Sequence, residues 1–414
     1  MEVENKNTSS FSTICADLPN HLSNFIDTFV DFTVSGGLFL LPPPSQEQQL
    51  PIPLTRCPSP PNRLVAIGDL HGDLDKSKQA LRIAGLIDPL TDRWIGGDTT
   101  VVQIGDVLDR GGDELKILYF LEKLKREAFR CGGSIITMIG NHEIMNIDGD
   151  FRYITPSGLH EFKAWADWFQ IGIAMKNLCG GSMENNMFQG IPFTFPRMRK
   201  EFHEGMRARI AALRPNGPIS TRFLSGNPTA LVVGDSVFVH GGLLQDHVSY
   251  GLERINEEVR DWINGLKGRV SPHFVRGRNS VVWLRKFSGQ GVVMDCLSLL
   301  HEKNTLLGKK KINLIHHFLE FQIHAGLTEK FIRDHCELTC SCPSVLPDFY
   351  SIGRNTKNVF IGWGNRCGRL GVSDGSLYFS QMTETGRSHE VIVFVYPYFL
   401  PAWPTCVSGI KNTS

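Results

Sequence analysis

Four short apolar runs set the rhythm of the chain. Leu64-Val65-Ala66-Ile67, Thr100-Val101-Val102-Gln103-Ile104, Ser134 through Ile139 and Ser236-Val237-Phe238-Val239 each read as a buried strand. Each run empties into glycine and residue types that ligate metals. The four turns are Gly68-Asp69-Leu70-His71-Gly72-Asp73, Gly105-Asp106-Val107-Leu108-Asp109-Arg110-Gly111, Gly140-Asn141-His142-Glu143 and His240-Gly241-Gly242. Helical spacing intervenes between them. Leu74, Ala80, Leu81 and Ala84 predict a helix over about 75–86, and Leu115, Leu118, Leu121 and Leu124 one over about 113–127. Asp69 and Asp106 are 37 residues apart, and Asp106 and Asn141 are 35 apart, the length of a strand–helix–strand unit. Such crossovers keep one hand, so three motifs are expected on one edge of a parallel sheet, where ligands bind in α/β proteins.

Beyond these units, 156–215 reads as mainly helical with Trp165, Trp168 and Phe169 packed. Thr229–Val233 and Ser236–Val239 predict a hairpin across Gly234-Asp235, and Glu253–Leu266 a helix. Residues 1–60 are rich in Ser, Thr, Gln and Pro and are expected to form a flexible arm, with one short amphipathic helix at His21–Phe32. The main domain is expected over 61–288, and 289–414 as a divergent C-terminal region.

Composition changes this picture little. The 414 residues are 21% charged and 41% hydrophobic, as in ordinary globular proteins. A net charge of +1 gives no reason to expect nucleic acid as a partner. No apolar run approaches the roughly 20 residues needed to span a bilayer. The ten cysteines are scattered, and the start, Met-Glu-Val-Glu-Asn, lacks the features of a secretory or transit signal, so the expected setting is cytoplasmic, with reduced thiols.

The chemistry follows from the residue types. Asp69, His71, Asp106, Asn141 and His240 offer two imidazoles, two carboxylates and an amide oxygen, a set suited to Mn, Fe or Zn. Asp106, on the middle strand of three, is the natural bridge between two cations, which would clamp a phosphate and acidify a water. Arg110 is placed to bind phosphate oxygens in a bidentate fork. His142, next to Asn141, is placed to give the leaving alkoxide its proton, with Asp109 as its carboxylate partner.

The wording GDLHGD at 68–73, GDVLDRGGD at 105–113, GNHE at 140–143 and HGG at 240–242 resembles the phosphoprotein phosphatase branch of the calcineurin-like metallophosphoesterases. Residues 63–73 and Ser280-Val281-Val282-Trp283-Leu284-Arg285 are similar to the Shewanella-like protein phosphatases of plants, in their cytosolic form. The resemblance covers roughly 61–288. It implies an α/β fold, an αββα sandwich of two mixed sheets flanked by helices, and two divalent metals. It implies hydrolysis of phosphoprotein esters without a covalent intermediate. It assigns Asp69, His71, Asp106, Asn141 and His240 to metal, Arg110, Asn141 and Arg285 to substrate, and His142, Asp109 and Arg110 to catalysis.

The chain departs from the family in its tail. No Gly-His pair follows His240 to supply the family's last metal ligand, and the strand–motif rhythm stops near Ser288. That region reads as a misread splice junction or shifted frame. It carries a basic run, Lys309–Lys311, expected as a solvated patch, and zinc-ligand types at His335, Cys336, Cys340 and Cys342 spaced more tightly than usual structural sites. Two other functions stay open: a metallophosphoesterase acting on nucleotides or phosphodiesters, and an inactive phosphate-binding module lacking the sixth ligand.

Overall fold

The computed structural model describes residues 8–39, 55–57, 61–178, 186–234 and 236–284, and the backbone of five strands between 313 and 394. In chain order the main elements are α1 (Thr8–Val34), β1 (Arg56–Cys57), β2 (Arg63–Ile67), α2 (Leu74–Ile83), β3 (Thr100–Gln103), α3 (Glu114–Arg130) and β4 (Ser134–Thr137). They continue with α4 (Asn141–Asp148), α5 (Pro156–Leu178), α6 (His203–Leu213), β5 (Ala230–Val233), β6 (Ser236–Val239), α7 (Gln245–Tyr250) and α8 (Leu252–Ile263). Last come β7 (Asn313–Ile315), β8 (Asn358–Trp363), β9 (Arg366–Ser373), β10 (Ser376–Met382) and β11 (Ser388–Phe394).

The strands form two mixed sheets. One has the order β4-β3-β2-β11-β10-β9-β8 and the other β1-β5-β6-β7. β2, β3 and β4 pair in parallel with β3 in the middle, so the first three motifs leave one sheet edge together. β5 and β6 pair antiparallel, as the hairpin spacing predicts.

Alternation along these buried strands sorts side chains into two cores. Leu64, Ala66, Val102, Ile104, Ile136 and Met138 face Leu231, Val233 and Phe238 of the second sheet. The opposite faces, Val65, Ile67, Val101 and Ile135 on one sheet and Ala230, Val232, Val237 and Val239 on the other, belong to a larger cluster with the helices. A strand apolar on both faces can be covered on both faces, which makes the layers helix, sheet, sheet, helix. The leucines of α3 at 115, 118, 121 and 124 are all buried, as their spacing requires. Trp165 is buried, and the half-buried Phe169 and Trp168 are packed as well, Phe169 stacked on Trp165 and Trp168 edge-on to Phe29 of α1.

The first helix differs from expectation. A short helix at His21–Phe32 is expected, yet α1 begins earlier, continues through Pro19 and runs 27 residues. It is also packed: Ile26 and Val30 are buried, and Val30 lies against Gly172 of α5 at a distance that leaves no room for a Cβ. Asp31 accepts two bonds from Arg222, at 2.5 and 2.7 Å, and one from the Tyr119 hydroxyl.

Candidate active site

Two of the three motif loops at the edge of the first sheet interlock through their backbones, and the third is tied to them by the side chains of Asp106 and Glu143. Asp106 O accepts from Leu70 N and His71 N, and Val107 O accepts from Gly72 N. His71, Asp106, Asp109 and Arg110 all have positive φ, four of the seven such non-glycine residues among the described residues. Strain of that kind persists where the surroundings over-determine it. Gly140 explains part of the crowding, because a Cβ there would collide with the Asp106 carboxylate.

Glu143 holds this arrangement from beneath. Its carboxylate, 1% exposed, accepts from the backbone N–H groups of Asp106, Val107, Leu108 and Gly140 at 2.8–3.1 Å. Burial and the neighbouring charge of Asp106 raise its pKa, against the pull of the donors at Asp106, Gly140 and Leu108.

Seven sequence-predicted residues, Asp69, His71, Asp106, Asp109, Asn141, His142 and His240, are buried and gathered in one place. Asp106 Oδ2 is 3.3 Å from His240 Nε2, 3.8 Å from His71 Nε2 and 3.9 Å from His142 Nε2. Asp69 Oδ2 is 3.4 Å from His71 Nε2, and Asn141 Oδ1 is 2.8 Å from His240 Nε2. Two triads, His71–Asp106–His142 and Asp69–Asp106–His240, have ligand atoms within 4.8 Å of one another, and Asp106 belongs to both.

The donors suit cations. His71 Nδ1 lies 2.9 Å from the carbonyl of Leu108, and His240 Nδ1 lies 2.9 Å from that of Ile104. A carbonyl only accepts, so each Nδ1 carries the proton and each Nε2 turns its lone pair to the centre, as in metal-ligating histidines. Burial alone would raise the Asp106 pKa, but His240 and His142 hold it well below the ordinary carboxylate range. Burial likewise opposes the charged form of His71, yet Asp69 and Asp106 carry its pKa upward.

Arg110 reaches into the same space. Its Nη1 is 2.8 Å from His71 Nε2 and its Nη2 3.1 Å from His142 Nε2. Guanidinium only donates, so both Nε2 atoms accept here. Tyr153 lines the mouth: its carbonyl accepts from Arg110 N, and its ring lies beside Arg110 and His142. On the far side, His142 Nδ1 meets Asp109 Oδ2 at 2.6 Å. Burial would raise the Asp109 pKa, but the hydrogen bond from His142 and the charge of Arg209 bring it below the usual value.

Arg285 and the group His335, Cys336, Cys340 and Cys342 lie outside the described residues, as does Lys309–Lys311. In the other direction, sequence reasoning gives no role to Glu143, Glu114 or Arg209. Arg209 leaves a signal, a lone charge beside Ala208, Ala211 and Ala212 on the inward face of a helix.

The family model for calcineurin-like phosphoesterases matches residues 62–295. Shewanella-like protein phosphatase 2 of Arabidopsis thaliana is 56% identical over 348 residues, 83% of this chain and 88% of that protein. Shewanella-like protein phosphatase 1 of Plasmodium berghei is 42% identical over 100 residues, 24% of this chain and 27% of that one. Among solved structures, the cold-active protein-tyrosine phosphatase of a psychrophilic Shewanella species aligns with a TM-score of 0.45 and 17% identity, over 83% of this chain and 84% of that one. The chain belongs to the calcineurin-like phosphoesterases and, within them, to the Shewanella-like protein phosphatases. It is an enzyme of the phosphatase class, with buried donor groups of the kind that hold divalent metal. No helix among the described residues is long and apolar enough to cross a membrane.

Proposed function

We propose that this enzyme hydrolyses phosphate monoesters on proteins. The observation that carries this is the convergence of Asp69, His71, Asp106, Asn141 and His240 beside Arg110 and the Asp109–His142 pair. Asp69 and His71 would hold one cation and Asn141 and His240 a second, with Asp106 between them. Manganese, iron or zinc suits such ligands. Bound there, two cations supply positive charge for the phosphoryl oxygens and acidify a water.

The protein's own groups do the rest. Arg110 binds phosphate oxygens as a planar fork. Engaging phosphate draws its guanidinium off His142 Nε2, which is then available to carry a proton. Asp109 holds the imidazole so that Nε2 points at the departing oxygen, which leaves as an alcohol rather than an alkoxide. Phosphorus is attacked by water, and no side chain of the cluster is placed as a nucleophile. The names of the relatives support a phosphoprotein substrate.

Elemental analysis of the purified protein should find two divalent ions per chain. Asp106→Asn should lower that content and abolish turnover of phosphopeptides, and undiminished turnover would refute the two-cation reading. A panel of phosphopeptides, nucleoside monophosphates and phosphodiesters should show phosphopeptides preferred.

A further inference from the structure

The Asp109–His142 pair is itself held by a buried charge. Arg209, on α6, is 0% exposed. Its Nη2 donates to Asp109 Oδ1 at 2.8 Å and to Glu114 Oε2 at 2.7 Å. Its Nη1 donates to Glu114 Oε1 and its Nε to Asn146 Oδ1, both at 2.8 Å. The ring of Phe162 lies against the guanidinium, 4.6 Å from centroid to Cζ. Glu114 also accepts from the backbone N–H of Asp109 at 2.8 Å, and Asn146 Nδ2 donates to the His142 carbonyl at 2.9 Å.

The two oxygens of Asp109 therefore face two different partners, Arg209 on Oδ1 and His142 on Oδ2. A carboxylate bonded at one oxygen only can turn about its χ2 and swing the other away. Bonded at both, it has one orientation. The guanidinium is planar and fixed by Glu114 and Asn146, so it acts as a jig rather than a diffuse charge. Burying a cation costs several kcal/mol of solvation, and Glu114 alone would neutralise it. The bond to Asp109 is what a purely structural ion pair would not need.

We propose that Arg209 is a positioning residue, setting the Asp109 carboxylate and through it the imidazole of His142, and so governing how well the enzyme expels poor leaving groups. This rests on His142 as proton donor. The step concerned is departure of the substrate oxygen: the P–O bond breaks, its electron pair stays on that oxygen, and the proton from His142 Nε2 neutralises it. A p-nitrophenolate leaves without such help, whereas a serine or tyrosine oxygen does not.

The test compares phosphopeptide and p-nitrophenyl phosphate turnover in the same sample of metal-loaded enzyme. Their ratio does not depend on how much of the sample is folded. Arg209→Lys keeps the charge and loses the fork. It should lower kcat for phosphopeptide about 10- to 100-fold with KM nearly unchanged, a part of the roughly 100- to 10,000-fold a general acid contributes, and leave p-nitrophenyl phosphate within about threefold. Asn146→Ala, which loosens the same guanidinium and also removes Asn146's own bond to Asp109, should shift the ratio in the same direction, so that a poorly folding Arg209→Lys leaves the proposal open to refutation. A ratio equal to wild type in both variants overturns the role of Arg209. His142→Asn separates the layers of inference: if it too leaves the ratio unchanged, the proton-donor reading has failed. If it shifts the ratio and the other two variants do not, only the positioning role has failed.

Discussion

At the scale of single residues, the candidate site is defined as much by what holds its donor groups as by the donor groups themselves. Glu143 satisfies four backbone donors of two loops at once. Glutamine would keep one acceptor oxygen and turn an amide N–H₂ toward the other pair, leaving two donors unmet. At about 1–3 kcal/mol for each buried orphan, Glu143→Gln should cost roughly 2–6 kcal/mol in a urea melt and reduce retained metal; a variant as stable as wild type would show that the strut is dispensable. Glu161 tells a different story. It accepts from Leu115 N and Lys116 N at the start of α3, yet burial, reinforced by the charge of Glu114, pushes its pKa from 4.5 up to about 8. Between those values the folded chain holds a proton that the unfolded chain has lost. Stability should therefore fall as pH rises from about 4.5 to about 8, and Glu161→Gln should flatten that slope in melts run at a series of pH values. The metal-ligand types were legible in the sequence because aspartate, histidine and asparagine beside glycine at strand ends are unusual. Arg209 and Glu143 were not, since a supporting charge carries no periodic signature and its partners lie far off in sequence; Arg209 and Asp109 are 100 residues apart.

At the scale of elements, the strands were readable because each is short, apolar and stopped by glycine. The helices over 74–83 and 114–130 follow from leucine and alanine spacing. α4 was not foreseen, since its eight residues, Asn141–Asp148, begin inside the motif itself. The N-terminal helix was underestimated because proline argues locally against a helix that tertiary contacts sustain. Its anchorage suggests two experiments. Gly172→Leu places a side chain where Val30 Cγ2 stands, 2.8 Å from the position of a Cβ, so α1 should be pushed off α5 and residues 8–34 become open to limited proteolysis. Asp31→Ala leaves Arg222 without its two-point partner and should lower stability by about 1–3 kcal/mol, readable as a shift of the thermal midpoint. In both variants p-nitrophenyl phosphate turnover should survive, because among the described residues α1 contributes no group to the cluster of donors.

At the scale of the whole molecule, the two-layer architecture follows from strands apolar on both faces, but which strands join which sheet did not follow from spacing. β11 enters the first sheet parallel to β2, with Val391 beside Ala66, and β10, β9 and β8 extend it antiparallel. β7 runs parallel to β6, with Ile315 beside Phe238; the next residues in sequence, His316 and His317, lie outside the described residues. Sequencing transcripts across the codons near 288 decides between a misread junction and a genuine coding end for this region. Metal bound only to the folded state stabilises it by mass action, so a chelator should lower the thermal midpoint of wild type and leave that of Asp106→Asn unmoved.

One consequence follows from where His240 stands. Asp106 and Asn141 arrive from one sheet and His240 from the other, meeting across the seam between them. Cations held there would act as rivets through both leaves of the sandwich. Release of metal on heating would then report the leaves parting, and should track loss of the Leu64–Phe238 core rather than the melting of any single helix.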